Sequence, residues 1–252
     1  MSQDNNSNIR EQIIIPDGFK KNRFDYLSDI ELAAAFSKNK NNFAIFEKLL
    51  LELVDNNIQL DNLLEAIIYR ELTSSLDAIK LLIKYGIDVN CVYDGRSFPL
   101  VDCCVSPMNS IETFEILIEA GANVNKKNEY GETVLMKCIV NCTKDLEIIK
   151  LLIRKGSKIN CQDYKGNTEL ILCFKSNSNN LIKYHIIELL LDNKADVYLK
   201  NIKGKNILDI VKRKISSDNS NIYSLIFDYK NLKNDHFCEF DIDFIYNCIS
   251  KN

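Results

Sequence analysis

The feature that most restricts this chain is a spacing. Gly86, Gly121 and Gly156 stand 35 residues apart, and the same frame resumes at Lys194, 38 residues on. A second series, Gly95, Gly131, Gly166 and Gly204, runs beside it at intervals of 36, 35 and 38. A chain that repeats at a period of this size is built from stacked supersecondary units. Each is too small to bury its own apolar face and leans on its neighbours. The clearest unit runs from Asn128 to Asn160: N-E-Y-G-E-T-V-L-M-K-C, a polar or β-branched stretch, then L-E-I-I-K-L-L-I-R-K-G and S-K-I-N. It predicts a short inner helix, a more strongly apolar outer helix, and a glycine-terminated exit into an extended tip.

Four stretches overlay on that unit. Outer helices are expected over Leu76–Leu82, Ile111–Leu117, Leu146–Leu152 and Tyr184–Leu190, each with large apolar residues at i, i+3 and i+6. That spacing gives one buried face and one wet one. Inner helices are expected to begin near Asn62, Pro99, Thr133 and Thr168. A small residue follows two or three positions after a leucine in each (Leu64 and Ala66, Leu100 and Cys103, Leu135 and Cys138, Leu170 and Cys173), letting the next pair approach closely. Glycine closes a helix in the left-handed region at little steric cost. Lys194 occupies that position in the fourth unit, where a positive φ would cost roughly 1 kcal/mol. Asn90, Asn125 and Asn160 follow the three glycine exits, and their side chains are expected to bond local backbone and hold the tip in place.

The fold class expected is an all-α solenoid of stacked helix-turn-helix units with short turn tips. The units span about 59–94, 95–130, 131–165 and 166–203. A flexible leader is expected over 1–24 and an N-terminal capping unit over 25–58, the latter opened by a Ser28–Glu31 capping box. Residues 204–252 read as a C-terminal capping unit, with an inner helix at Ile207–Val211, a segment at Ile222–Tyr229 and a last helix within Phe237–Ile249.

These residues resemble the ankyrin repeat, whose pattern is a tip glycine, T-P-L-H-x-A, a second helix and G-A-x-V-N. Here the pieces are G-E-T-V-L-M-K-C from Gly131, G-N-T-E-L-I-L-C from Gly166, G-R-S-F-P-L-V-D-C from Gly95, and A-G-A-N-V-N from Ala120. Y-G-I-D-V-N from Tyr85 and K-G-S-K-I-N from Lys155 belong with them. The chain departs from the pattern where Val134 and Met136, then Glu169 and Ile171, replace the Pro and His. In the second unit the proline, Pro99, is displaced by one register, and the turns between helices are longer than the consensus, that from Lys175 to Leu181 longest. The resemblance implies a protein-binding scaffold that engages another protein through its concave face and turn tips. Similar divergent repeat proteins occur in large DNA viruses and intracellular pathogens, so the cytoplasm implied could be the protein's own cell's or a host's.

Composition narrows the alternatives. A net charge of -3 supplies no global field towards nucleic acid or an anionic membrane. No stretch reaches the roughly 18 apolar residues of a membrane span, and no secretory pattern opens the chain. The cysteines fall at apolar helical positions such as Cys103, Cys104, Cys138, Cys173 and Cys248, where a thiol behaves as a small hydrophobe. Reduced thiols in an intracellular monomer are therefore expected.

Little in the sequence suggests catalysis. Its two histidines, His185 and His236, have no Cys or carboxylate cluster at metal-ligand spacing, and there is no C-x-x-C, Walker A or G-x-G-x-x-G pattern. No metal, cofactor or enzymatic activity is expected; a Cys–His pair assembled in three dimensions is the residual enzymatic alternative. A basic flank, Lys194, Lys200, Lys203, Lys205, Lys212, Arg213 and Lys214 against Asp196 and Asp209, is a second alternative site, for nucleic acid or an acidic partner. The two residues before each tip glycine give the candidate site: Tyr93 and Asp94, Glu129 and Tyr130, Tyr164 and Lys165, Ile202 and Lys203. Asp102 and Lys137 on the inner helices are expected to line the same groove. Aromatic anchors among polar groups suit an interface; the competing reading is that the tyrosines stiffen the row of tips.

Overall fold

In a computed structural model of the chain, the residues described are 76–92, 97–106, 110–141, 146–213 and 220–233, with Glu47, Leu50, Leu51, Leu64, Ile67 and Ile68. The expected leader, most of the N-terminal capping unit, the terminal helix, Tyr93, Asp94 and His236 lie outside them. The described helices alternate between two layers. α1 (Leu76–Lys84), α3 (Ile111–Glu119), α5 (Leu146–Arg154), α7 (Asn180–Asp192) and α9 (Ser220–Lys233) pack successively as an outer layer. α2 (Pro99–Val105), α4 (Val134–Asn141), α6 (Glu169–Lys175) and α8 (Ile207–Lys212) do the same as an inner layer. Each inner helix also packs on the outer helix that follows it. Lys127 and Thr133 form an isolated antiparallel β-bridge. This is an all-α repeat solenoid.

The apolar period accounts for the layers. In α5 the side chains of Ile148, Ile149, Leu151 and Leu152 are buried, while Glu147 and Lys150 pair on the wet face at 2.7 Å. Leu100, Leu135 and Leu170 occupy one buried row of the inner layer, and Cys103, Cys138 and Cys173 another. Burying each such leucine contributes about 2 kcal/mol. Cys104 and Cys138 bring their sulfurs to 2.7 Å between α2 and α4, so the small thiols do sit where neighbouring pairs meet.

Helix starts are set by caps. Thr133 Oγ1 accepts from Met136 N at 3.3 Å, Thr168 from Ile171 N at 3.5 Å, and Ser110 from Thr113 N at 3.3 Å. Asn206 and Asp209 form a reciprocal capping box on α8. Pro99 is the first residue of α2, as Val134 is of α4 and Glu169 of α6. Relative to the helix, then, the proline is in register: the second unit has one more residue in sequence between its tip glycine and its first helical residue. The long fourth turn is likewise shorter than expected. Asn179 caps α7 by accepting from Ile182 N at 2.8 Å, and the additional residues become an extra turn of helix.

The exits share one hydrogen-bond pattern whatever residue stands there. Gly121 N donates to Ile118 O and Ala122 N to Leu117 O, both at 3.0 Å; Lys194 N donates to Leu191 O and Ala195 N to Leu190 O, both at 2.9 Å. This is a Schellman closure, which demands a left-handed residue. Gly86, Gly121 and Gly156 supply φ of 83°, 95° and 90°, and Lys194 adopts 66°.

Candidate functional site

The tips are built by a residue three positions before each glycine. Asn128 Oδ1 accepts from Tyr130 N and Glu132 N, both at 2.9 Å. Asp163 Oδ1 accepts from Lys165 N at 2.8 Å and Asn167 N at 2.7 Å; Asn201 Oδ1 accepts from Lys203 N at 3.0 Å and Lys205 N at 3.1 Å. Such Asx turns hold the two residues before the glycine at the apex. The sequence reading missed this role, although the Asx–x–x–Gly spacing in three tips carries the signal.

Successive tips bond to each other through backbone. Tyr164 N donates to Tyr130 O at 3.0 Å, and Ile202 N donates to Lys165 O at 3.1 Å. Their approach is so close that a Cβ on Gly131 would lie 2.7 Å from the Tyr164 ring, and one on Gly166 2.8 Å from Ile202 N. The apex is therefore a continuous ridge. On it Tyr130 is 60%, Tyr164 72% and Ile202 73% exposed, so the Tyr164 ring both packs on Gly131 and presents most of its surface. Glu129, Lys165 and Lys203 are exposed beside them.

The inner-helix candidates divide. Lys137 is half-buried and reaches back to Glu132 of the tip, Nζ to Oε2 at 3.4 Å, so it lies on the ridge side. Asp102, at the equivalent position of α2, is only 4% exposed and its Oδ1 accepts from the Ser97 hydroxyl. The short carboxylate is buried, and it does not line a groove as expected.

A second seam lies at the helix exits, and here the expected local role is corrected. Asn90 Nδ2 donates to Gly121 O at 3.0 Å and its Oδ1 accepts from Asn123 N at 2.7 Å. Asn125 makes the same pair with Gly156 O at 3.0 Å and Lys158 N at 2.7 Å, and Asn160 with Lys194 O at 3.1 Å and Asp196 N at 2.6 Å. Each carboxamide clamps its unit to the next one. The local turn bonds come instead from Asp88, Asn123 and Asp196, which accept from the backbone two residues on. Lys127 Nζ and Gln162 Nε2 add a parallel pair of cross-unit bonds, to Gln162 O at 2.9 Å and Lys200 O at 3.0 Å.

One titratable group stands out. Glu169 is 1% exposed, and its Oε2 accepts from Asn160 N at 3.1 Å. Burial pushes its carboxyl up to about 7, opposed by backbone hydrogen bonds from its own, the Asn160 and the Cys161 amides and by the Lys127 charge. That is a buried carboxyl beside the Asn160 exit. Burial also pushes the Cys173 thiol up to about 12, far from a neutral-pH nucleophile. His185 lies exposed on outer α7 beside Glu188, Nδ1 to Oε2 at 3.6 Å. Among the described residues no three His, Cys, Asp or Glu gather as a metal site, and no helix is long and apolar enough to cross a membrane.

No curated protein sequence matches the chain significantly. The protein-family model described as ankyrin repeats (3 copies) matches over residues 31–128 and 103–201. Repeats of this kind are generally protein–protein interaction modules. With two matched spans covering most of the sequence, and a two-layer stack of capped helix pairs joined at tips and exits, the chain belongs to the ankyrin-repeat family.

Proposed function

We propose that this chain is a non-catalytic scaffold that binds a partner protein along the tip ridge and the adjoining face of the inner helices. Tyr130, Tyr164 and Ile202 are the anchors, with Glu129, Lys137, Lys165 and Lys203 around them; Tyr93 and Asp94, which precede Gly95 in the sequence as these residues precede their tip glycines, are further contacts. The scaffold works as a cytoplasmic monomer, its four units over 59–203 flanked by capping units. The observation that carries this reading is the exposure of Tyr130, Tyr164 and Ile202, 60% to 73%, on a ridge whose backbone is already hydrogen-bonded. Large rigid side chains held out on an ordered backbone lose little entropy on docking.

The test is a Tyr130→Ala, Tyr164→Ala double variant. A partner recovered by affinity capture should bind it roughly 30-fold more weakly or worse, while the variant still melts in one cooperative transition. Undiminished affinity overturns the surface; loss of cooperative melting returns the tyrosines to a packing role.

A further inference from the structure

Charge is unevenly distributed along the ridge. At the Tyr130 end Glu129 is exposed and Lys137 is already paired with Glu132. Beyond Tyr164 the exposed side chains are Lys165 and Lys203, with Lys205 half-buried behind them. The ends of the inner helices follow the same gradient. Val105 and Val140 stand at one helical register of α2 and α4, whereas Lys175 of α6 and Arg213, the C-cap of α8, occupy the matching register, both exposed. Lys175 Nζ donates to Asn167 Oδ1 at 2.8 Å, which places it over the tip. Among the described residues Lys165, Lys203 and Lys205 have no carboxylate within ion-pairing distance. The local carboxylates are engaged elsewhere: Asp163 inside its tip, Asp209 in the α8 capping box, Glu169 buried. Lys194, part of the basic flank in sequence, is drawn off to the exit seam.

We infer that the Tyr164–Arg213 half of the ridge receives an acidic protein segment carrying an apolar anchor, with its carboxylates on Lys165, Lys175, Lys203 and Arg213 and its apolar side chain between Tyr164 and Ile202. This rests on the ridge being the binding surface, and adds the chemistry of what it binds. Neighbouring helices stack about 10 Å apart, so three tips span ~20 Å, the length of about six extended residues. Carboxylates there meet the Lys165 and Lys203 ammonium groups, which have no carboxylate partner among the described residues, so complementarity speeds encounter and rejects basic competitors. A nucleic-acid strand fits less well. Ile202, the most exposed apolar side chain of the row at 73%, offers no π-face for a base to stack on, and Glu129 repels phosphates continuing towards Tyr130.

The test selects an unbiased displayed library of random 12-residue peptides against the full-length chain, then measures the enriched peptides by fluorescence anisotropy. A single-stranded oligonucleotide of matched charge is measured alongside. The inference expects enriched sequences to combine several Asp or Glu with an apolar residue. Their affinity should fall at least roughly tenfold in a Lys165→Glu, Lys203→Glu variant, weaken as salt is raised, and depend on Tyr164. Enriched peptides without acidic residues that still require Tyr130 and Tyr164 overturn the acidic class and leave the ridge standing. Enrichment independent of the tyrosines, or none, overturns both. Tighter binding of the oligonucleotide than of any peptide assigns the lysines to nucleic acid and overturns the inference.

Discussion

The junction between the α2/α3 and α4/α5 pairs and the junction between the α4/α5 and α6/α7 pairs use the same asparagine clamp on different backbones. At the first, Asn125 reaches Gly156, whose φ of 90° costs nothing extra. At the second, Asn160 itself sits at φ 70°, it reaches Lys194 at φ 66°, and the buried Glu169 carboxyl holds its amide. The bonds are alike, so their geometry survives loss of the exit glycine. The difference is stored cost: two non-glycine residues in the left-handed region and one desolvated carboxyl gather at one joint. Strain of this kind persists only where surrounding bonds over-determine it. The α6/α7 pair is thus the more tightly specified and the less comfortable.

Three measurements would sharpen or break that comparison. The largest effect belongs to Glu169. Its carboxyl titrates near 7 in the fold against 4.5 in the unfolded chain. Below pH 4.5 both states hold the proton and there is no penalty. As pH rises towards 7 the unfolded state loses its proton first, so stability falls, and the loss is complete above 7. Denaturant unfolding of Glu169→Gln should therefore gain about 3 kcal/mol relative to wild type between pH 5 and pH 8. A wild-type-to-variant difference that does not change with pH would remove the carboxyl from the account. Next is Asn125→Ala, which leaves Gly156 O and Lys158 N without their cross-unit partner and should cost about 2 kcal/mol. A loss within error of zero would show water replacing the clamp. Smallest is Lys194→Gly, which relieves the left-handed lysine by about 1 kcal/mol and should raise the melting temperature by about 2–4 °C. The matched Gly156→Lys should lower it; no change in either would mean the two exits do not differ as their backbones imply.

Much of the fold was legible from spacing alone, and the reasons are particular. The rows Leu100, Leu135, Leu170 and Cys103, Cys138, Cys173 are periodic because each must meet its counterpart in the next pair. Lys194 announced its positive φ by standing in a glycine's frame. The exposed tip side chains were legible in part, since Tyr130, Tyr164 and Ile202 are named by their distance from a tip glycine. Asp102 was misplaced because its partner, Ser97, folds over it from the preceding loop, a contact that no helical pattern encodes. The asparagines were assigned to local turns because Asn prefers them. Their carboxamides instead reach 31 to 36 residues onward.

The amino-acid sequence by itself determined the repeat length, the two helices per unit, their caps and the exit residues, Gly86, Gly121, Gly156 and Lys194, that must lie in the left-handed region. All of these follow from interactions within about four residues or from burial of a periodic face. Only the tertiary stack decided which polar groups join neighbouring units, which carboxyl is buried, and that the lysines of separate tips and helix ends face one ridge. Those outcomes depend on the register between consecutive pairs, which brings together side chains one whole period apart.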